Sequence, residues 1–229
     1  GQGENFFDGR KAQRRAICSP PSSYGEFSDK ADMITPIIME SDLGEVERKL
    51  GILREKKADR VHIDIGDGLF SDLLTIAPAD LQQFDLSEIK MDIHLMVDDP
   101  TEWVEEAVAL KPARLIAQIE RMGSQKLFLE SVESYGIEGG LGLKIETPIE
   151  EIEGEVLTSC KTILLLAIPA GTSGSPFDEM VIDKIKQLRK IYKGSILIDG
   201  AMNKATYKMV IEVGATEAGA NSAYWGGQI

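Results

Sequence analysis

Two histidines occur in this 229-residue chain, His62 and His94, and both close runs of β-forming residues, VHIDIGDG at 61–68 and MDIHLMV at 91–97. Side chains two apart on a strand point to the same face, so His62 and Asp64 send an imidazole and a carboxylate into one space. That is the geometry of a metal site or of acid–base chemistry. A further run, SILID, ends on Asp199. Two imidazoles and two carboxylates, from His62, Asp64, His94 and Asp199, suit Zn²⁺, Mn²⁺, Fe²⁺ or Co²⁺. A lone strand histidine is more often a hydrogen-bonded core residue. Here both histidines fall at strand ends, one with an aspartate two residues on, and the balance moves to one divalent metal ion.

The elements that would position these groups alternate regularly from Met33 onward. Strands are expected at MITPII, RVHIDI, KMDIHLMV, ARLIAQI, GGLGLKI, TILLLAI, SILID and, shortest, TEAGA. Between them run apolar stripes with helical spacing: Leu43, Val46, Leu50 and Leu53; a weak stretch around Pro78–Phe84; Trp103, Ala107 and Leu110; Leu127, Phe128 and Val132; Val181, Ile185 and Leu188; and Tyr207 with Val210. Thr147, Pro148 and Glu150 signal a short helix after the fifth strand. Asp42, Asp99, Ser124 and Asn203 stand where N-caps are needed, Pro100 fits a first turn, and Gly214 can end a helix. Eight strands alternating with helices imply a (β/α)8 TIM barrel, with a doubly wound open sheet as the runner-up. Barrel active sites lie at the C-terminal ends of the strands, where all four candidate ligands fall.

Two features depart from a plain barrel. Residues 1–32 differ in composition and read as an N-terminal extension ahead of a barrel over 33–229, and the final helix is missing or very short. The extension is expected to cover the strip of wall that the shortened helix leaves bare, although another subunit of a homo-oligomer could do so. Its basic residues, Arg10, Lys11, Arg14 and Arg15, read as a solvated helix face.

The formal net charge of −13 at pH 7 argues against nucleic acid or an anionic membrane as partner, since both need clustered Lys and Arg. Cys18 and Cys160 form no CxxC pair, which suggests neither a disulfide scaffold nor a thiolate zinc site and fits a reducing, cytoplasmic setting. No apolar run approaches the roughly 20 residues needed to span a bilayer.

Six segments in order, TPIIMESDL, VHIDIGDGLF, MDIHLMVDDP, ILLLAIPAGTSGSPF, IDGAMN and GANSAYW, make the stretch from about Ile34 to Trp225 resemble a divergent ribulose-phosphate 3-epimerase. The resemblance implies one divalent metal held by His62, Asp64, His94 and Asp199. It also implies that Asp64 and Asp199 are the catalytic acid and base on opposite faces of a pentulose phosphate. Met96 and the turn residues Gly171, Gly174, Gly200, Asn221 and Ser222 correspond to positions that bind substrate and its phosphate.

Departures from the family pattern concentrate around the substrate. Ser173 replaces a second adjacent glycine, Ala201 replaces a glycine after Gly200, and Asn221-Ser222 replaces Gly-Ser. Ile37 replaces a serine, Gly66 replaces the methionine of the metal motif, Asp72-Leu73 replaces Pro-Asn, and Pro169-Ala170 replaces Glu-Pro. The metal ligands are spared, so the expected activity is inversion of the carbon beside the keto group of ribulose 5-phosphate. The alternatives are another keto-sugar or sugar phosphate, or a non-catalytic barrel that binds metal or sugar phosphate. The orotidine-phosphate decarboxylase group is disfavoured because its Asp-x-Lys-x-x-Asp signature does not occur at the third strand.

Overall fold

A computed structural model of the chain describes residues 34–229. The reading of residues 1–32 as a separate extension lies outside the described residues. Strands β1 (Ile34–Ile38), β2 (Arg60–Gly66), β3 (Lys90–Met96), β4 (Arg114–Gln118), β5 (Glu138–Leu143), β6 (Thr162–Leu166), β7 (Ser195–Asp199) and β8 (Glu217–Ala220) form a closed parallel barrel in sequence order. β8 returns to pair with β1, so the open-sheet alternative falls away.

Around the barrel stand α1 (Leu43–Glu55), α2 (Pro78–Leu81), α3 (Val104–Val108), α4 (Gln125–Ser134), α5 (Met180–Ile191), α6 (Lys204–Glu212) and α7 (Ser222–Trp225). Local chemistry starts them where expected. Asp42 accepts a hydrogen bond from the Glu45 N–H, Ser124 from that of Leu127, and Asn203 from those of Ala205 and Thr206. Each satisfies amides that the first helical turn leaves unpaired. Two expectations are corrected. The helix of Trp103 begins as a 3-10 turn over Pro100–Trp103 before α3. Instead of a short helix after β5, there are 3-10 turns at Ile149–Glu151 and Val156–Thr158, because Gly154 and the acidic run offer too few apolar positions to hold a continuous stripe. The last helix is indeed only four residues, and Trp225 anchors it by donating its indole N–H to the Ile37 carbonyl at 2.6 Å.

Alternation along the strands divides the protein into an outer core and a barrel interior. Outward residues such as Ile63, Leu95, Leu115 and Ile198 pack beneath the helices. The interior has its own apolar layer of Ile116, Leu164, Leu166 and Leu197. Toward the strand N-termini, that layer rests on a charged floor. Arg114 bonds Asp92 at 2.8 Å, Glu217 at 2.5 Å and Thr162 at 3.2 Å, and Arg60 grips Asp92 from the other side at 2.7 and 2.8 Å. The apolar layer covers this floor on β4, β6 and β7, whereas on β3 Asp92 stands in register beside His62 of β2. No helix among the described residues is long and apolar enough to cross a membrane.

Candidate metal centre

On β2, His62 and Asp64 share the inward face. β3 is in register, so that Asp64 lies opposite His94. Asp199 ends β7 across the barrel. All four side chains are buried, at 2, 3, 0 and 7 % exposure for His62, Asp64, His94 and Asp199. One ligand atom from each lies within 4.8 Å of the other three. His94 Nδ1 is 2.9 Å from Asp64 Oδ1 and 3.6 Å from Asp199 Oδ2, and His62 Nε2 is 3.2 Å from Asp64 Oδ1.

The donor set fits a divalent ion on two counts. Metal–ligand bonds of about 2.0–2.2 Å place neighbouring ligands of a tetrahedral ion about 3.3–3.6 Å apart, and the spacings above bracket that value. In addition, His62 Nε2 is buried without a hydrogen-bond partner, although burial normally demands one; a cation in the cluster would supply it. The nitrogen and oxygen donors exclude a soft thiolate-type site but do not select among Zn²⁺, Fe²⁺, Mn²⁺ and Co²⁺.

Electrostatics separate the four groups. Burial pulls both imidazoles toward the neutral form. At His62, the Asp64 carboxylate, supported by Asp199 and Asp92, outweighs burial and raises the pKa. At His94, burial prevails over the pull of Asp64, helped by the nearby His62 charge, and the pKa falls. Burial also penalises ionised Asp64, yet the close approach of both imidazoles, hydrogen-bonded in the case of His94, holds that carboxyl low. Asp199 is pushed well up, first by burial and then by the Asp64 charge, which His62 only partly offsets.

A pocket opens above this cluster. Asp64 and Asp199 form part of its wall together with Met96, Gly171, Gly174, Gly200, Asn221 and Ser222, so the remaining substrate positions picked from the sequence converge on one cavity. Pro169 and Ala201, marked in the sequence as departures around the substrate, also line it, as do Met39, Met202 and Ala223, which the sequence left unassigned; Met39 and Met202 each lie just past a strand end, the signal that could have found them. Ala201 takes a left-handed φ of 52° beside Gly200 at 103°. The alanine thus keeps the conformation a glycine would adopt, at a cost of roughly 1–2 kcal/mol. Asn221 Nδ2 reaches Ser173 Oγ at 3.4 Å across the mouth.

Residues 33–225 match the ribulose-phosphate 3 epimerase family. The chain belongs to that family. Its relatives include the ribulose-phosphate 3-epimerases of Bacillus subtilis, 28 % identical over 200 residues covering 84 % of this chain and 92 % of that one, and of Chlamydia trachomatis, 29 % identical over 191 residues covering 80 and 82 %. Membership in the ribulose-phosphate 3-epimerase family makes the chain a carbohydrate epimerase. Among solved structures, the N-acetylmannosamine-6-phosphate 2-epimerase of Clostridium perfringens superposes with a TM-score of 0.58 at 12 % identity, covering 89 % of this chain and 93 % of that one. That likeness speaks to the barrel fold alone.

Within the family frame, the replaced methionine position has a physical explanation. A Cβ on Gly66 would stand 2.6 Å from the Leu73 carbonyl oxygen and 2.8 Å from Leu73 Cγ. Leu73 has filled the volume, and the loop is fixed there by Gly66 N–H donating to Thr75 Oγ1 at 2.9 Å and Thr75 N–H to the Gly66 carbonyl at 3.0 Å. The same loop meets the sixth-strand turn: a Cβ on Gly171 would lie 2.8 Å from Leu73 Cβ, with Ser71 closer still.

The structure also brings in a residue that sequence reasoning missed. Gln118 on β4 is completely buried and places its Nε2 2.9 Å from His94 Nε2. Its signal was a polar side chain two residues past Ile116 on the inward face of β4.

Proposed function

We propose that the chain interconverts ribulose 5-phosphate and xylulose 5-phosphate, with one divalent metal held by His62, Asp64, His94 and Asp199. The observation that carries this reading is the pair of buried carboxyl groups, Asp64 and Asp199, set in the wall of one pocket beside both histidines. A base and an acid sharing a cavity are what inversion beside a carbonyl needs, since one proton leaves one face and another arrives on the opposite face. In one direction Asp64 accepts the proton from carbon and Asp199 delivers its own; in reverse the roles exchange. A bound divalent ion supplies Lewis-acid stabilisation of the negative charge that develops at the keto oxygen. His62 and His94 orient Asp64 through short contacts, and Met39, Met96 and Met202 provide an apolar wall that limits water.

The phosphate is assigned to the turns of Gly171, Gly174, Gly200, Asn221 and Ser222, where left-handed glycines at Gly171, Gly174 and Gly200 let backbone amides approach an anion. The Asn221 carboxamide and Ser173 hydroxyl add side-chain donors at the mouth.

A second reading, epimerisation of a different keto-sugar phosphate, is favoured by Leu73 filling the space beside Gly66 and by buried Ile37 where a hydroxyl is usual. The test is turnover by metal-loaded protein on ribulose 5-phosphate alongside a panel of keto-sugar phosphates. Preference for ribulose 5-phosphate supports the first reading; turnover of another sugar with none on ribulose 5-phosphate replaces it with the second.

A further inference from the structure

Gln118 is positioned with more care than space filling requires. Its partner in the β4–β5 register is Gly142, and a Cβ there would stand 2.7 Å from Gln118 Nε2 and 2.9 Å from Cδ. The strand pair therefore builds a slot for the carboxamide. At its far end lies His94 Nε2, 2.9 Å from Gln118 Nε2, while Gln118 Oε1 is buried without a partner. His94 turns its other nitrogen, Nδ1, to the ligand cluster, 2.9 Å from Asp64 Oδ1.

The ring carries its proton on one nitrogen when neutral. A carboxylate only accepts and an amide nitrogen only donates, so these two contacts call for Nδ1–H donating to Asp64 and Nε2 accepting from Gln118. A ligating nitrogen must offer a lone pair, so for Nδ1 to hold a metal the ring proton has to sit on Nε2 and meet an acceptor there. Gln118 can supply one: a half-turn of its carboxamide exchanges the Nε2 donor for the orphaned Oε1. When Nδ1 gives its proton to water and Nε2 takes one up from water, that rotation pairs Oε1 with Nε2–H and leaves Nδ1 its lone pair, with no net change in the charge of either residue.

We propose that Gln118 is a positioning residue that selects the tautomer of His94, donating to Nε2 in the metal-free protein and accepting from Nε2–H when Nδ1 becomes a ligand. This role rests on the metal reading of the four-residue cluster. A carboxamide suits it because it can both donate and accept; a methionine of similar length fills the slot but does neither.

The test uses the full chain with Zn²⁺ as probe, titrated against a chromophoric chelator, for the wild type, Gln118→Met and Gln118→Glu. In parallel, long-range nitrogen–proton NMR correlations of ¹⁵N-histidine protein report which His94 nitrogen bears the proton. Loss of an outer-shell partner typically weakens metal binding about 10–100-fold, and that loss is expected for Gln118→Met. Gln118→Glu, which keeps an acceptor, should bind Zn²⁺ at least as tightly as the wild type. The wild-type His94 proton should move from Nδ1 to Nε2 on Zn²⁺ binding. A folded Gln118→Met that binds as tightly as the wild type, or a Gln118→Glu as weak as Gln118→Met, overturns the role. If either variant fails to fold, the wild-type spectra decide, and a His94 proton that stays on Nδ1 in the Zn²⁺ form overturns it. A wild type that takes up no Zn²⁺ overturns the metal reading itself, a failure visible before any substitution is made.

Discussion

Restoring the methionine expected in the metal motif, Gly66→Met, should damage this protein. Its Cβ would sit 2.6 Å from the Leu73 carbonyl oxygen and 2.8 Å from Leu73 Cγ, and the first of these is backbone that a rotamer change cannot move. Loop 67–75 would have to shift, stretching the hydrogen bonds between Gly66 and Thr75 and parting Leu73 from the turn at Gly171. Overpacking of this kind costs about 1–3 kcal/mol. For a domain of this size, that lowers Tm by about 2–12 °C. Because the loop borders the turn at Gly171 while the candidate ligands nearest it, His62 and Asp64, lie deeper on β2, KM should rise while bound metal per chain stays the same. Differential scanning calorimetry, metal analysis and steady-state kinetics read the three quantities, with Gly66→Ala isolating the Cβ clash. An unchanged Tm in both variants would refute the view that Leu73 has taken over the methionine volume.

Three further outcomes are expected. Asp199→Asn should lower kcat by about 10²–10⁴-fold with an unaltered circular dichroism spectrum; near-normal turnover would remove Asp199 from the acid–base pair. Metal affinity should rise with pH through the neutral range. His62 and Asp199 both hold protons above their ordinary pKa in the metal-free protein, and each proton displaced contributes up to about tenfold per pH unit; chelator competition at several pH values checks the sign, and a flat profile contradicts it. Arg114→Met should cost about 3–5 kcal/mol in urea unfolding by leaving Glu217 and Asp92 short of a buried partner.

The clustering of the four candidate ligands was legible in the sequence because strand alternation is strict. Once His62 and Asp64 share a face and parallel register sets Asp64 opposite His94, little freedom remains. The turn glycines were legible for a related reason, since a left-handed backbone constrains residue choice strongly. Ala201 shows the limit, adopting the same conformation with a Cβ and reading from the sequence as a simple loss. Gln118 was missed because its meaning depends on two partners distant in the chain, His94 on one neighbouring strand and Gly142 on the other. Leu73 was missed for the same reason: its packing into the space beside Gly66 is a tertiary fact that the dipeptide Asp72-Leu73 does not encode. The 3-10 turns at 149–158 look like a helix start locally, and only the lack of a continuing apolar stripe shortens them.

The most direct measurement is solvent-deuterium incorporation into ribulose 5-phosphate by protein whose bound metal has been quantified. Stoichiometric divalent metal with deuterium entering at the carbon beside the keto group, lost together when the metal is stripped by chelation and regained on reloading, is the expected result. Full metal occupancy with no exchange into ribulose 5-phosphate, or exchange that continues undiminished in metal-free protein, would contradict the assignment of His62, Asp64, His94 and Asp199 as a metal-assisted epimerase centre.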